Sequence, residues 1–166
     1  MVAFLCCILI STVPVFAQEP PPADTKREDL WICLDIEAAS FSSFIDFSLG
    51  FSLSLGYGDR VAIGFKAAFF WEVTPDNYAY LELSPLIRLY LLKNASISGP
   101  YVQLAAGAVF LTKDKAFPVP AEKGDFFADI YFGWRFLLGE RWFVEPNIRV
   151  GWRFLVGGGV SGGIRF

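Results

Sequence analysis

Ile45-Asp46-Phe47-Ser48-Leu49-Gly50-Phe51-Ser52-Leu53-Ser54-Leu55-Gly56-Tyr57 is the stretch on which the fold turns. Its odd positions hold Ile, Phe, Leu, Phe, Leu, Leu and Tyr; its even positions hold Asp, Ser, Gly, Ser, Ser and Gly. A period of two sends the first set to one face of a strand and the second set to the other, whereas a helix would scatter both. One face is bulky and apolar, and the other is small and polar. What each face meets depends on how far the pattern extends.

It extends through the chain. Working outward, seven further segments alternate in the same way, separated by turn chemistry. They are Trp31 to Ala39, Val61 to Val73, Tyr78 to Leu92, Tyr101 to Leu111, Phe126 to Phe136, Trp142 to Arg153 and Gly159 to Phe166. Gly58-Asp59-Arg60, Thr74 to Asn77, Lys93 to Gly99 and Gly139-Glu140-Arg141 read as turns, Ser40 to Phe44 and Phe154 to Gly158 as loops, and Thr112 to Gly124 as the longest connection. Across these segments the apolar face carries no charge, while almost every segment carries one on the opposite face. Pro85 and Pro146 fall inside strands, each removing a ladder donor, and are expected at bulges.

Volume decides which face is inside. An eight-stranded barrel has room only for packed side chains or one small ligand. The apolar set holds most of the Phe, Trp, Leu and Ile, too bulky for that lumen, while the opposite set is rich in Gly, Ala and Ser. Turned to water, the apolar face would far exceed the few hundred Å² that soluble monomers tolerate. Turned to lipid, it is satisfied, and strands of about 9–11 tilted residues cross a bilayer. The expected fold is all-β: an eight-stranded, antiparallel, up-and-down transmembrane β-barrel over residues 31–166. A composition that is 54% hydrophobic, with 18 Phe and 5 Trp, fits a membrane barrel.

Residues 1–17 read as a signal peptide, with Val15-Phe16-Ala17 offering small residues at −3 and −1, although Met1-Val2-Ala3 lacks a positive charge. Leu5 before Cys6 is too large for a lipobox. Residues 18–30 are Pro-rich and charged and read as a flexible periplasmic segment. After cleavage Cys33 is the only cysteine, so no intrachain disulfide is expected. With both termini on the periplasmic side, Trp71 and Trp152 fall near the outer rim, and Tyr57, Trp134 and Trp142 near the inner one. Aromatic girdles of this kind are expected of membrane barrels.

The signal peptide, the eight strands and the ending Val160-Ser161-Gly162-Gly163-Ile164-Arg165-Phe166 resemble the small eight-stranded outer-membrane barrels of diderm bacteria, the OmpA/OmpX/OmpW-like group. The resemblance covers about Trp31 to Phe166. It implies residence in the bacterial outer membrane, contact with its lipid, and recognition by the barrel-assembly machinery through Phe166 with Ile164 and Val160 in step behind it. Full OmpA-type proteins continue into a peptidoglycan-binding domain; this chain stops at Phe166.

Chemistry is constrained by the absence of histidine. A Ser-His-Asp site is unavailable, as are His-containing metal sites. No enzyme activity and no cofactor are expected. A net charge of −3 without a basic, aromatic-interleaved patch argues against nucleic acid. The informative set is the lumen charges: Asp35, Glu37, Lys66, Glu82, Arg88, Asp129, Arg135, Glu145, Arg149, Arg153 and Arg165, with Asp46 and Glu72 beside them. If the hairpin about Glu140 is symmetric, Arg135 faces Glu145, Tyr131 faces Arg149, and Arg149 lies diagonal to Asp129. Near-balanced signs in a narrow bore predict a salt-bridge plug. The expected function is structural, a closed barrel serving envelope integrity or surface interaction. The rivals are a narrow pore for small solutes and an OmpW-like path for small apolar molecules. Oligomeric state is open, because an apolar outer face suits lipid and neighbour alike.

Overall fold

A computed structural model of the chain describes residues 30–41, 47–73, 78–92, 98–112 and 123–166. The expected signal peptide at residues 1–17, residues 18–29, Asp46 and the expected turn at 74–77 lie outside them. Eight strands follow one another: β1 (Leu30–Phe41), β2 (Phe47–Tyr57), β3 (Val61–Glu72), β4 (Ala79–Tyr90), β5 (Gly99–Thr112), β6 (Lys123–Leu138), β7 (Trp142–Trp152) and β8 (Phe154–Arg165). Each pairs antiparallel with its sequence neighbour, and β1 pairs with β8, so the sheet closes into an up-and-down barrel. The seam is continued past the last strand by the Phe166 amide, which donates to the Leu30 carbonyl at 2.9 Å.

The alternation of side chains sets inside against outside. Along β2 every odd residue from Phe47 to Tyr57 is exposed and every even one is buried. The exposed set elsewhere is just as apolar: Ile36 is 76% exposed, and Trp152 is 67% exposed. In water such a surface would be untenable; in hydrocarbon it needs no partner, provided that no backbone edge is left open. Closure meets that condition.

Three expectations are corrected. Phe154 to Gly158 are not a loop, because β8 begins at Phe154. Only Arg153 separates it from β7, and its φ of 82° turns the chain so that Phe154 enters the lumen. Gly157 and Gly159 face inward, where an added Cβ would lie 2.9 Å from Arg149 Cγ and 2.9 Å from Glu37 Cγ, respectively. The glycine run is therefore packing space beside an ion pair rather than a hinge. Second, Ser40 and Phe41 belong to β1, Thr112 to β5, and Lys123 and Gly124 to β6, not to the connections.

Third, the prolines make no bulges. The β4–β5 register is the same on both sides of Pro85, with Leu83 facing Ala108 and Leu86 facing Ala105. The β6–β7 register is likewise unbroken across Pro146. The missing ladder donors are absorbed without a residue being inserted. The irregularity among the described ladders sits instead at Ser40/Phe41 against β8, next to the turn that buries Phe154.

A charge placed on the outer wall at mid-strand is predicted to be costly. Leu53→Arg should destabilise the folded barrel by about 2–4 kcal/mol, measured by reversible urea unfolding in lipid vesicles. A change below about 0.5 kcal/mol would contradict a lipid-facing Leu53.

Candidate functional site

Burial of charge inside an eight-stranded bore demands that each group find a partner. The first cluster lies toward the end where the termini meet. Glu145 on β7 accepts from Arg88 Nη1 at 2.9 and 3.0 Å and from Arg135 Nε at 2.5 Å. Arg88 also donates to Gln103 Oε1, from Nε at 2.9 Å and Nη2 at 2.8 Å, and from Nη1 to the Tyr90 hydroxyl at 3.5 Å. Its guanidinium lies between two rings, 4.2 Å from the Trp31 centroid and 4.1 Å from that of Tyr101. Arg135 rests 4.0 Å over Phe143. A guanidinium suits this setting because it is planar, weakly hydrated and able to stack while its edge donates.

The second cluster is centred four residues further along β7, about 13 Å of strand. Arg149 Nη1 donates to Glu37 Oε2 at 3.0 Å, and Nη2 is shared between Glu82 Oε2 at 3.1 Å and Asp129 Oδ2. Lys66 pairs with Glu37 and also donates to the Tyr131 hydroxyl at 2.8 Å. Ser52 Oγ lies 2.9 Å from Glu37 Oε1 and 3.1 Å from Asp35 Oδ2, which links Asp35 to the cluster. Asp35 also accepts from Ser161. Above Arg149, the Phe154 ring sits 4.2 Å from the guanidinium carbon and packs with Phe70, Tyr80 and Phe127.

Asp35, Glu37, Lys66, Glu82, Arg88, Asp129, Arg135, Glu145 and Arg149 thus all stand inside the barrel. Tyr131 faces Arg149 across the β6–β7 ladder, as hairpin symmetry about Glu140 requires. Arg153 and Arg165 do not join them. Arg153 is half-exposed and pairs with Asp125 at the rim. Arg165 sends Nε to the Glu140 carbonyl at 2.9 Å, beside an exposed turn. Tyr57, Trp71, Trp134, Trp142 and Trp152 are exposed on the outer wall near strand ends. Val160 and Phe166 face outward, and Ile164 is half-buried between them.

Alternation puts Phe70 and Tyr90 on the inward face, but the extent of the aromatic lining was not read from the sequence. Trp31, Phe70, Tyr90, Tyr101, Phe127, Phe143 and Phe154 are buried in a lumen expected to be filled by small residues. A usable signal was present in the register. Trp31 faces Gly56, Phe70 faces Gly50, Tyr101 faces Gly133 and Phe143 faces Gly163. At each of these glycines an added Cβ would overlap the opposing ring. These four interior rings therefore lie across a neighbouring strand's glycine, and small and large residues fill the bore together.

No protein-family model matches the chain, and no curated protein does either. Solved structures do. Neisserial surface protein A superposes with a TM-score of 0.64 at 11% identity, covering 82% of this chain and 94% of that one. The outer membrane protein Ail of Yersinia pestis gives 0.56 at 10% identity, covering 84% and 100%. The N-terminal β-barrel domain of Pseudomonas aeruginosa OprF gives 0.53 at 14%, covering 82% and 97%. The fold is that of the small eight-stranded outer-membrane barrels. At these identities the likeness is one of fold, so the lumen must be read from this chain's own residues.

That lumen offers fixed charges and rings. Among the described residues no group of three His, Cys, Asp or Glu side chains is arranged to hold a metal. The energetic weight of the two charge environments should differ. Glu145→Ala strands two buried arginines and is predicted to cost about 3–5 kcal/mol. Arg153→Ala removes a half-exposed rim pair and should cost no more than about 1 kcal/mol. Urea unfolding of both variants measures the contrast, and equal losses would contradict the placement of Glu145 at the centre of the first cluster.

Proposed function

We propose that the protein is a structural, integral outer-membrane barrel whose lumen is closed, serving envelope integrity or surface interaction. The observation that carries this reading is the burial of Lys66, Arg88, Arg135 and Arg149 across the bore, each at 3% exposure or less. A conducting path would wet at least one of them. The two clusters stand one behind the other along β7, and rings of Trp31, Tyr101 and Phe154 lie against their guanidinium groups. The wall that meets lipid is apolar throughout its middle, and the likeness of fold to outer-membrane proteins supports the same location here.

The termini would face the periplasm, reached by way of the N-terminal signal peptide. Val160, Ile164 and Phe166, in step on the last strand, would be the segment that the assembly machinery reads. We read the protein as non-enzymatic, since it holds no histidine to activate a nucleophile or a water.

Single-channel recording from the refolded chain in planar bilayers tests the closed lumen. The wild type should be silent. Glu145→Ala and Arg149→Ala should each stay closed, because the other cluster still spans the bore, whereas the combined variant should conduct once its heat-modifiable gel mobility shows it folded. Steady openings of the wild type would overturn the reading and favour a narrow pore for small solutes.

A further inference from the structure

Asp35 stands apart from the other carboxyl groups of the two clusters. Glu37, Glu82, Asp129 and Glu145 each meet an arginine or Lys66 inside the bore, whereas no ion pair among the described residues includes Asp35. It is buried, and its hydrogen-bond partners are neutral. Oδ1 accepts from the Ser161 hydroxyl and has Asn147 Nδ2 at 3.5 Å, while Oδ2 has Ser52 Oγ at 3.1 Å. Lys66 on β3 is committed to Glu37, and Arg88 on β4 and Arg135 on β6 are committed to Glu145. Two acids flank Asp35 instead. Glu37 lies two residues along the same face of β1, and Glu145 stands in the same row, since Asp35 faces Ser161 across the seam and Ser161 faces Glu145 on β7. Cys33 on β1 and the phenols of Tyr101 on β5 and Tyr131 on β6 are the remaining titratable groups at this level, and β2 and β8 bring serines.

Ser52 shows what this does. Its Oγ lies between two carboxyl groups, 3.1 Å from Asp35 Oδ2 and 2.9 Å from Glu37 Oε1. A hydroxyl has one hydrogen to give. Glu37, paired with Lys66 and Arg149, takes it as a carboxylate. An ionised Asp35 would then press a bare oxygen against the lone pairs of Ser52 in a dry bore. A protonated Asp35 donates from Oδ2 to Ser52 Oγ, Ser52 donates to Glu37 Oε1, and Ser161 donates to Asp35 Oδ1. Each hydrogen then has an acceptor. The charges agree: with Asp35 neutral, Glu37, Glu82, Asp129 and Glu145 stand against Lys66, Arg88, Arg135 and Arg149, one for one. Glu72, the last residue of β3, lies outside both clusters.

We propose that Asp35 is a proton-binding site: the closed lumen holds its carboxyl as the neutral acid, and release of that proton loosens the closed packing. The inference rests on the sealed lumen proposed above, because water at Asp35 would stabilise its carboxylate. Ionisation puts a charge without a partner beside Glu37 and Glu145, so the tightness of closure depends on pH. A proton held by the folded barrel but released by the unfolded chain makes stability fall as pH rises, starting at about pH 4, where an exposed aspartate titrates.

Thermal unfolding of the refolded full chain in detergent micelles, comparing wild type with Asp35→Asn, tests this. Asparagine keeps the bonds of the neutral acid, with its carbonyl toward Ser161 and its amide toward Ser52. The two proteins should melt together at about pH 4, and Asp35→Asn should melt about 5 °C higher at about pH 8. Titration of the other carboxylates cancels in the difference. Infrared difference spectroscopy gives a second readout at about pH 5.5, where an exposed aspartate is ionised. The carbonyl stretch of a protonated carboxylic acid should be present in the wild type, lost in Asp35→Asn and kept in Asp125→Asn. An Asp35→Asn variant that fails to refold, melts below the wild type in alkali or keeps the band would overturn the proposal. A Tm difference that does not change with pH, in a barrel whose channel recordings are silent, would overturn this inference alone, whereas steady wild-type conductance would remove the sealed lumen with it.

Discussion

Closure of the sheet is the constraint from which the rest follows. In hydrocarbon a backbone amide or carbonyl without a partner costs several kcal/mol, so a membrane-facing sheet must have no edge. β1 therefore meets β8, through eleven paired positions from Trp31/Arg165 to Phe41/Phe154. Once the ring is complete, the pleat divides every strand into residues that see lipid and residues that see one another. With eight strands the enclosed space is small, so the inward residues must fill it at interior density without leaving polar groups stranded.

The packing solves this by alternating ring, guanidinium and carboxylate. Arginine serves both requirements at once, since its flat faces lie on Trp31, Tyr101, Phe143 and Phe154 while its edges bind Glu145, Glu37, Glu82 and Asp129. Glycines opposite the rings supply the volume. The arrangement is brittle by design: removing one partner leaves a charge in a dry bore, and enlarging one glycine drives a ring from its place. A lumen built in this way has few alternative packings, consistent with a barrel that stays shut.

Much of this was legible in the amino-acid order. Strict alternation from Phe47 to Tyr57 reports the two faces directly, because a side-chain period of two has no other simple reading. The Gly139-Glu140-Arg141 turn fixes the register of β6 against β7, and with it the meeting of Arg149 with Tyr131 and Asp129. What was not legible depended on partners distant in sequence. Glu37 and Arg149 are 112 residues apart and meet only because β1 and β7 flank β8 in the closed ring. Alternation puts Trp31 and Phe143 on the inward face, but how so narrow a bore holds their rings is seen only when the glycines opposite them are aligned. The run Gly157-Gly158-Gly159 reads locally as a turn, and only the bulk of Arg149 and Glu37 on the neighbouring strands makes it a strand. Arg153 and Arg165 share the alternation of the lumen set, but at the strand ends the pleat opens onto the rim.

The measurement closest to the central claim is nitroxide scanning of β2 in the refolded barrel, one label at a time from Phe47 to Tyr57. Accessibility to lipid-soluble oxygen and to a water-soluble nickel chelate should both be read at each position. Odd positions should show high oxygen and low nickel accessibility, and even positions should show low values of both, with a period of two throughout. Even positions open to the nickel chelate would contradict a filled, sealed lumen. Odd positions open to it would contradict the lipid-facing wall itself.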